Sequence, residues 1–164
     1  MSITFNADEV LRMAVEIEQN GAAFYRKAAE LKKDDASTDF LVELAEMEDD
    51  HEKTFESMRS SLTEDEKGGN TYDPYDEAAL YLEAMADTHG GEGSPSAADS
   101  LTGDESLDDI LQTALGLEKK SILFYLGLKE MVPEKLGTGR IDDIIKEERK
   151  HVATLSKKRK ELNA

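Results

Sequence analysis

The chain contains no cysteine and no tryptophan. Without a thiol it cannot form a disulfide, a thiolate zinc site or an iron–sulfur cluster, so any bound metal needs oxygen and nitrogen ligands. Its apolar runs stay far below the ~20 residues of a membrane span, and the N-terminus lacks the basic and apolar stretches of a secretion signal. We therefore expect a soluble cytoplasmic protein with no membrane partner.

Basic residues are scarce relative to acidic ones. The 20 Lys and Arg residues face 37 Asp and Glu residues, which gives a formal net charge of -17 at pH 7. Nucleic acid is not an expected partner, because binding a polyanion requires clustered positive charge. Most of the acidic residues are expected to lie on the solvated surface and keep the protein soluble.

An internal repeat organises the 164 residues. Residues 14–31 align with residues 114–131 at an offset of 100 without a gap, and the same offset relates residues 41–62 to residues 141–162. Each copy contains two apolar series with steps of three and four residues, which predict two amphipathic helices. The pairs that are identical in the two copies include Ala14 and Ala114, Glu18 and Glu118, Phe24 and Phe124, Tyr25 and Tyr125, Glu30 and Glu130, Glu48 and Glu148, and His51 and His151.

The predicted fold is all-α, an antiparallel four-helix bundle. Short polar breaks separate the helices of each copy, at residues 32–37 in the first and 132–139 in the second. Connections this short imply antiparallel neighbours. The two copies are therefore predicted to form helical hairpins, about residues 7–62 and 104–162, within a single domain.

The segment between the hairpins, about residues 63–103, has a different composition. It is rich in glycine, serine and aspartate, and it holds two of the three prolines. We interpret it as a long crossover. Within it, residues 76–87 are predicted to form a short helix, and His89 is predicted to be solvated.

Two of the three histidines follow a glutamate by three residues, as Glu48 and His51 and as Glu148 and His151. On a helix this spacing places both side chains on one face, where they can share a metal ion. The spacing alone is weak evidence in so acidic a sequence. Both pairs, however, interrupt an apolar series, where a buried carboxylate requires a compensating cation or partner.

The first predicted helix of each hairpin contributes a further candidate ligand, a glutamate at the same height as the Glu-x-x-His pair. Glu18 and Glu48 are equally distant from position 33, so antiparallel packing brings them to one height, and Glu118 and Glu148 are centred on Pro133 in the same way. Two divalent ions would neutralise the four carboxylates. A mixed carboxylate and imidazole set favours two iron ions, with manganese or zinc possible. The predicted ligands are Glu18, Glu48, His51, Glu118, Glu148 and His151, a plan typical of two-metal helical bundles.

Tyr25 and Tyr125 each lie seven residues beyond one of these glutamates, on the same helix face. One interpretation makes them hydrogen-bond donors that hold ligand carboxylates in place. The other makes them core aromatics, and the sequence leaves both open.

Four segments of this sequence resemble the rubrerythrin-like branch of the ferritin-like superfamily. They are EIEQNGAAFY, MEDDHEKTF, LEKKSILFY and EERKHVATL, one in each predicted helix. The resemblance implies a ferritin-like bundle with a bridged di-iron centre that reacts with peroxide or oxygen, often within a homodimer.

Two departures from that family stand out. Rubrerythrins carry a rubredoxin domain with a four-cysteine iron site, which this cysteine-free chain lacks, so a separate electron donor is implied. They also usually carry a further glutamate three residues after the third-helix ligand, where this chain has Ser121. In that family the extra carboxylate takes part in iron movement during the redox cycle.

Three functions remain open at this point. The first is a di-iron oxidoreductase in which paired Fe(II) reduces hydrogen peroxide or oxygen. The second is an iron-handling ferroxidase that serves storage or delivery. The third is a metal-free structural bundle whose buried acids and histidines pair with one another.

Overall fold

The computed structural model of this protein describes residues 6–33, 35–68, 77, 80, 81, 84, 97–136 and 138–164. The helices in these ranges are α1 (Ala7–Leu31), α2 (Asp35–Ser60), α3 (Glu64–Gly68), α4 (Leu107–Met131) and α5 (Thr138–Leu162), and a 3-10 turn (Glu134–Leu136) precedes α5. The described residues contain no strand, which confirms the predicted all-α class. None of the helices within these ranges has both the length and the apolar character needed to cross a membrane.

The repeat is visible in how α1 and α4 begin. The Asn6 side chain accepts a hydrogen bond from the Glu9 backbone N–H, and the Glu9 carboxylate accepts one from the Asn6 N–H, both at 2.9 Å. Ser106 and Asp109 form the same reciprocal pair at an offset of 100. Each pair satisfies two backbone donors that the first turn of a helix leaves free, and the acidic residues also favour the positive helix terminus.

Both helix breaks are shorter than predicted. Only residues 32–34 separate α1 from α2, because the helix already begins at Asp35, and α5 begins at Thr138, inside the predicted second break. Aspartate, serine and threonine occur in the first turn of a helix as well as in loops. The composition of residues 35–38 therefore does not show whether they are helix or loop. Each pair of helices forms a close antiparallel hairpin.

Two buried apolar clusters show how the hairpins are arranged. The first cluster joins the beginnings of α1 and α5 to the ends of α2 and α4, and it includes Val10, Phe55, Met58, Leu128 and Ile141. The second joins the ends of α1 and α5 to the beginnings of α2 and α4, and it includes Phe24, Ala28, Leu41, Leu111 and Leu155. Hence α1 runs antiparallel to α4, and α2 runs antiparallel to α5. Burying each large side chain contributes about 1.5–3 kcal/mol.

This arrangement explains why the connection between the hairpins is long. The chain leaves α2 at one end of the bundle and enters α4 at the other, and a 25-residue helix is about 38 Å long. Parts of the crossover pack on the bundle: Tyr81 contacts the first cluster, and Ala97, Ala98 and Leu101 contact the second. Of the predicted helix at residues 76–87, the four described residues are helical, while His89 lies outside the described residues.

In each hairpin, an arginine near the end of the second helix forms an ion pair with an aspartate in the first turn of the first helix. Arg59 Nε lies 3.0 Å from Asp8 Oδ1, and Arg159 Nε lies 2.8 Å from Asp108 Oδ1. A second guanidinium nitrogen of each arginine bonds the other carboxylate oxygen. Because these two-bond pairs lie near the surface, they add little to stability, and their main effect is to align the two helices of a hairpin.

Gly103, just before α4, is expected to resist substitution. Its φ of +97° disfavours any side chain, and an added Cβ would lie 3.4 Å from Leu31 Cδ2. We expect Gly103→Ala to lower the free energy of unfolding by about 1–2 kcal/mol. The control is Gly116→Ala in α4, where an added Cβ meets nothing within 4 Å and alanine should stabilise the helix by about 1 kcal/mol. Urea unfolding followed by circular dichroism measures both changes, and equal effects would contradict this account.

Candidate metal centre

Four glutamates and two histidines form one polar layer between the apolar clusters. Each of the four long helices contributes one glutamate, and α2 and α5 each add the histidine one turn later. None of the six residues is more than 4 % exposed. The structure brings together all the residues that the sequence predicted for this layer, namely Glu18, Glu48, His51, Glu118, Glu148 and His151.

The layer divides into two overlapping groups, each suited to one metal ion. The first group consists of Glu18, Glu48, His51 and Glu148, and the second of Glu48, Glu118, Glu148 and His151. Within each group the potential ligand atoms lie within 4.8 Å of one another. Glu48 and Glu148 belong to both groups, so they are placed to bridge two ions. The remaining glutamate and histidine of each group come from a single hairpin.

The two imidazoles point the same ring nitrogen at the carboxylates. His51 Nδ1 lies 2.8 Å from Glu148 Oε1, and His151 Nδ1 lies 3.2 Å from Glu148 Oε2 and 3.4 Å from Glu48 Oε1. The rings are nearly parallel, with centroids 5.8 Å apart and planes inclined by 22°. Nδ1 is therefore the atom that each histidine offers to a metal.

Several atoms of the layer lack the hydrogen bonds that burial requires. Both carboxylate oxygens of Glu148, Nδ1 of His51 and both ring nitrogens of His151 are buried, and none of them makes a contact with hydrogen-bond geometry in the described part of the protein. This holds although His51 Nδ1 and His151 Nδ1 approach the Glu148 oxygens to 2.8 and 3.2 Å. Each unsatisfied buried polar atom costs about 1–3 kcal/mol, and more if it is charged. A self-paired network, the third sequence hypothesis, would not leave these atoms unmatched. Metal coordination would satisfy four of the five at once, which is why the residues fit a metal pair.

The four buried glutamates shift one another's pKa values. Burial and a neighbouring carboxylate, Glu48 for one and Glu148 for the other, raise the pKa values of Glu18 and Glu118 well above the ordinary value. Burial opposes the charged forms of Glu48 and Glu148, but the protonated groups facing them outweigh it and hold both pKa values below normal.

The same carboxylates act on the two histidines. Burial disfavours the imidazolium form, but the facing glutamates outweigh it, so that the pKa of His151 rises to about 12 and that of His51 is also raised. The raised pKa values of Glu18, Glu118, His51 and His151 favour retention of protons in the layer when no cation is bound. A metal must displace these protons, so metal binding and proton release are coupled.

Tyr25 and Tyr125 donate hydrogen bonds to glutamates of this layer, and each does so across the bundle. Tyr25 Oη donates to Glu118, and Tyr125 Oη donates to Glu18. The partner is therefore the equivalent glutamate of the other hairpin, not the glutamate seven residues earlier on the same helix. Burial and the nearby carboxylates raise the pKa of both tyrosines, so they remain phenols that can donate.

Removing either phenol is expected to weaken metal binding. Tyr25→Phe or Tyr125→Phe leaves one glutamate free to turn away from its position, and loss of such a donor typically costs roughly 10-fold or more in metal affinity. Tyr81→Phe is the control, because Tyr81 donates to the Leu123 carbonyl away from the layer. Calorimetric titration of metal-free protein with Mn(II) measures the change. Unchanged affinity in both site variants would make Tyr25 and Tyr125 core aromatics only.

A small cavity of about 40 Å³ opens beside the layer between α1 and α4. Glu18, Glu48 and Glu118 form its polar wall, and Ala97 of the crossover covers part of it. Gly21 and Ser121, which are equivalent in the repeat, line the cavity one turn beyond Glu18 and Glu118. A Cβ on Gly21 would lie 3.5 Å from Glu48 Cγ, so the glycine leaves room next to a bridging carboxylate.

Glu147 is a site residue that the sequence reasoning missed. Its Oε2 lies 2.7 Å from His51 Nε2, the ring nitrogen that faces away from the layer. Its side chain is 45 % exposed and borders an open groove between α2 and α5. The sequence contains one indication of its role: the two copies of the repeat differ here, because position 47 carries methionine where position 147 carries glutamate.

Four long helices around a buried layer of carboxylates and imidazoles define a ferritin-like helical bundle with a candidate metal centre. The chain is similar to a Thermotoga maritima protein whose crystal structure is described as that of a ferritin-like diiron-carboxylate protein. The match has a TM-score of 0.70 and 22% sequence identity, and it covers 96% of this chain and 97% of that one. At this identity the similarity shows the fold. No family model and no curated protein matches the chain.

Proposed function

We propose that this protein is a di-iron carboxylate oxidoreductase of rubrerythrin-like type, in which paired Fe(II) reduces hydrogen peroxide or oxygen. The observation that carries the proposal is the double set of ligand atoms in one buried layer, with two glutamates common to both sets. The carboxylate and imidazole donors suit iron or manganese. The diiron-carboxylate description of the Thermotoga protein supports the same choice of metal.

The protein side chains have distinct roles in this proposal. Bound iron supplies the electrons and the Lewis acidity, since reduction of hydrogen peroxide to water consumes two electrons and two protons. Glu48 and Glu148, which belong to both ligand groups, would hold the two ions and cancel much of their charge. Tyr25 and Tyr125 keep the two outer glutamates in orientation. The apolar clusters above and below the layer exclude bulk water.

The cavity between α1 and α4 limits the size of the substrate. A volume of about 40 Å³ holds only about three water-sized molecules. Hydrogen peroxide and oxygen are small enough to reach Glu18, Glu48 and Glu118 through it. An organic substrate is too large for this cavity unless α1 and α4 separate.

The electrons that restore Fe(II) come, in this proposal, from a separate cytoplasmic donor protein. The chain has no cysteine and therefore cannot hold the rubredoxin-type iron site that would supply electrons internally.

We further propose a homodimer as the working assembly, because the resemblance to rubrerythrins implies one. Light scattering of purified protein measures this directly, and a mass of two chains is expected.

One observation favours the iron-handling ferroxidase as a second candidate. Ser121 is buried beside Glu118, and its hydroxyl donates to the Leu117 carbonyl at 3.1 Å. The position therefore offers no further carboxylate to an iron ion that moves during a redox cycle. The absence of this carboxylate counts against the rubrerythrin redox cycle and leaves oxidation of Fe(II) by oxygen unaffected. A large hollow shell in light scattering would favour this candidate, because iron storage requires an enclosed space.

Anaerobic loading with Fe(II) followed by stopped-flow mixing tests both candidates. The protein is loaded with two equivalents of Fe(II), and Fe(III) absorbance is followed after mixing with hydrogen peroxide or with oxygen. Faster oxidation by peroxide is expected for the oxidoreductase, and faster oxidation by oxygen for the ferroxidase. The same experiment on the Glu48→Gln/Glu148→Gln double variant supplies the background rate. If the unaltered protein does not exceed that background with either oxidant, both candidates fail.

A further inference from the structure

We propose that the two metal positions of this protein are inequivalent and that Glu147 is a positioning residue that makes the position at Glu18 and His51 the tighter one. The inference rests on the proposed function to the extent that it requires the layer to bind metal. It goes further in ranking the two positions and in assigning a role to a residue outside the six predicted ligands.

The repeat makes the two positions directly comparable. His51 and His151 are equivalent, both are 2 % exposed, and both direct Nδ1 toward the shared carboxylates. They differ at the opposite ring nitrogen. His51 Nε2 lies 2.7 Å from Glu147 Oε2, whereas His151 Nε2 is buried without a hydrogen-bond partner in the described part of the chain.

The difference follows from one pair of equivalent positions. Glu147 lies on α5 and reaches His51 on α2, and its equivalent on α2 is Met47. A thioether is only a weak acceptor, so Met47 cannot perform the same role for His151. The two histidines therefore differ in the acceptor available to Nε2.

A carboxylate at Nε2 affects metal binding through the imidazole. Accepting the Nε2–H proton fixes the tautomer that leaves the Nδ1 lone pair free, and it also orients the ring and raises its basicity. His151 must present the same tautomer with its Nε2–H buried and unsatisfied. Loss of a partner of this kind typically costs 10–100-fold in metal affinity. We expect a difference of at least roughly 10-fold between the two positions.

The location of Glu147 allows this role at little cost to the fold. Its side chain is 45 % exposed, so its charge remains partly hydrated while one oxygen contacts His51. The groove it borders, about 510 Å³ in volume, also contains Lys53 and Arg140. Met47 is 37% exposed on α2, so both positions tolerate polar substitution.

Titration of metal-free protein with Zn(II), followed through the side-chain ¹⁵N resonances of the histidines, tests the ranking. Zinc is diamagnetic and accepts the same oxygen and nitrogen donors. With up to one equivalent of zinc, the Nδ1 resonance of His51 should shift to its bound value while that of His151 remains mostly unchanged. Calorimetry of the same titration should resolve two steps.

Three variants separate a positioning role from a structural one. Glu147→Gln keeps an acceptor but removes the charge, and it should weaken the first step several-fold, while Glu147→Ala should weaken it roughly 10-fold or more. Met47→Glu should strengthen the second step. The exchange variant, Glu147→Met with Met47→Glu, should make His151 the first histidine to bind. Circular dichroism confirms that each variant is folded.

The possible outcomes are distinct. Simultaneous binding at both histidines, or an order that the exchange variant leaves unchanged, overturns the ranking while the proposed function stands. Failure of the unaltered protein to bind zinc, iron or manganese overturns the proposed function and this inference together.

Discussion

Replacing Glu48 and Glu148 together by glutamine will abolish paired metal binding and leave the bundle folded. These two residues belong to both ligand groups, so their loss removes two of the four donors from each position. Glutamine has nearly the same shape as glutamate but carries no charge, and an amide is a poor ligand for iron. After anaerobic loading and desalting, metal analysis should find two iron ions per chain in the unaltered protein and essentially none in the variant.

The same variant is expected to be less stable than the unaltered protein when both are metal-free. Glu48 and Glu148 face the two buried histidines and raise their pKa values, and removing one partner of a buried charged pair typically costs about 3–5 kcal/mol. The control is Glu30→Gln/Glu130→Gln, a pair with the same repeat relation that is exposed to solvent. The control should bind metal normally and change stability by less than about 0.5 kcal/mol. Loss of metal in the control, or two bound ions in the site variant, would refute the assignment.

Raising the pH from about 6.5 to 9 will destabilise the metal-free protein. In the folded state the pKa values of Glu18, Glu118, His51 and His151 are raised, so over this range the folded layer holds more protons than the unfolded chain. Stability therefore falls as pH rises above about 6.5, the ordinary histidine pKa. The lowered pKa values of Glu48 and Glu148 have the opposite effect, but they act only in acid, below about pH 4.3.

Bound metal will reverse this trend, because a cation takes the place of the protons. The stabilisation provided by metal should grow with pH as fewer protons compete for the ligands. Melting temperatures measured at several pH values, with and without Mn(II), give both curves. The Glu48→Gln/Glu148→Gln variant should show a much flatter metal-free curve. A metal-free melting temperature that rises between pH 6.5 and 9 would contradict the proton balance described for the layer.

Much of the candidate metal centre could be predicted from the order of residues along the chain. Because Glu18 and Glu48 lie at equal distances from the first helix break, antiparallel packing alone places them at one height, whatever the details of the side chains. The offset of 100 then transfers the same argument to Glu118 and Glu148. The polar layer follows from helix periodicity and repeat symmetry, which depend on local sequence.

The helix starts were the weakest part of the sequence reasoning. The first turn of α2 at Asp35 and that of α5 at Thr138 were both assigned to loops. Residues that cap helices are the same residues that favour turns, so composition does not distinguish the two. The error of two or three residues leaves the metal layer unchanged, because the helix periodicity that places Glu48 and Glu148 does not depend on where each helix begins.

What the linear sequence already contained was the set of six polar side chains and their common level, since both follow from spacing within helices. The packing of one hairpin against the other decided how those side chains are used. It made Glu48 and Glu148 common to both ligand groups, paired Tyr25 with Glu118 and brought Glu147 to His51. These contacts join residues more than 90 positions apart, and their existence depends on the relative orientation of two hairpins that no local pattern encodes.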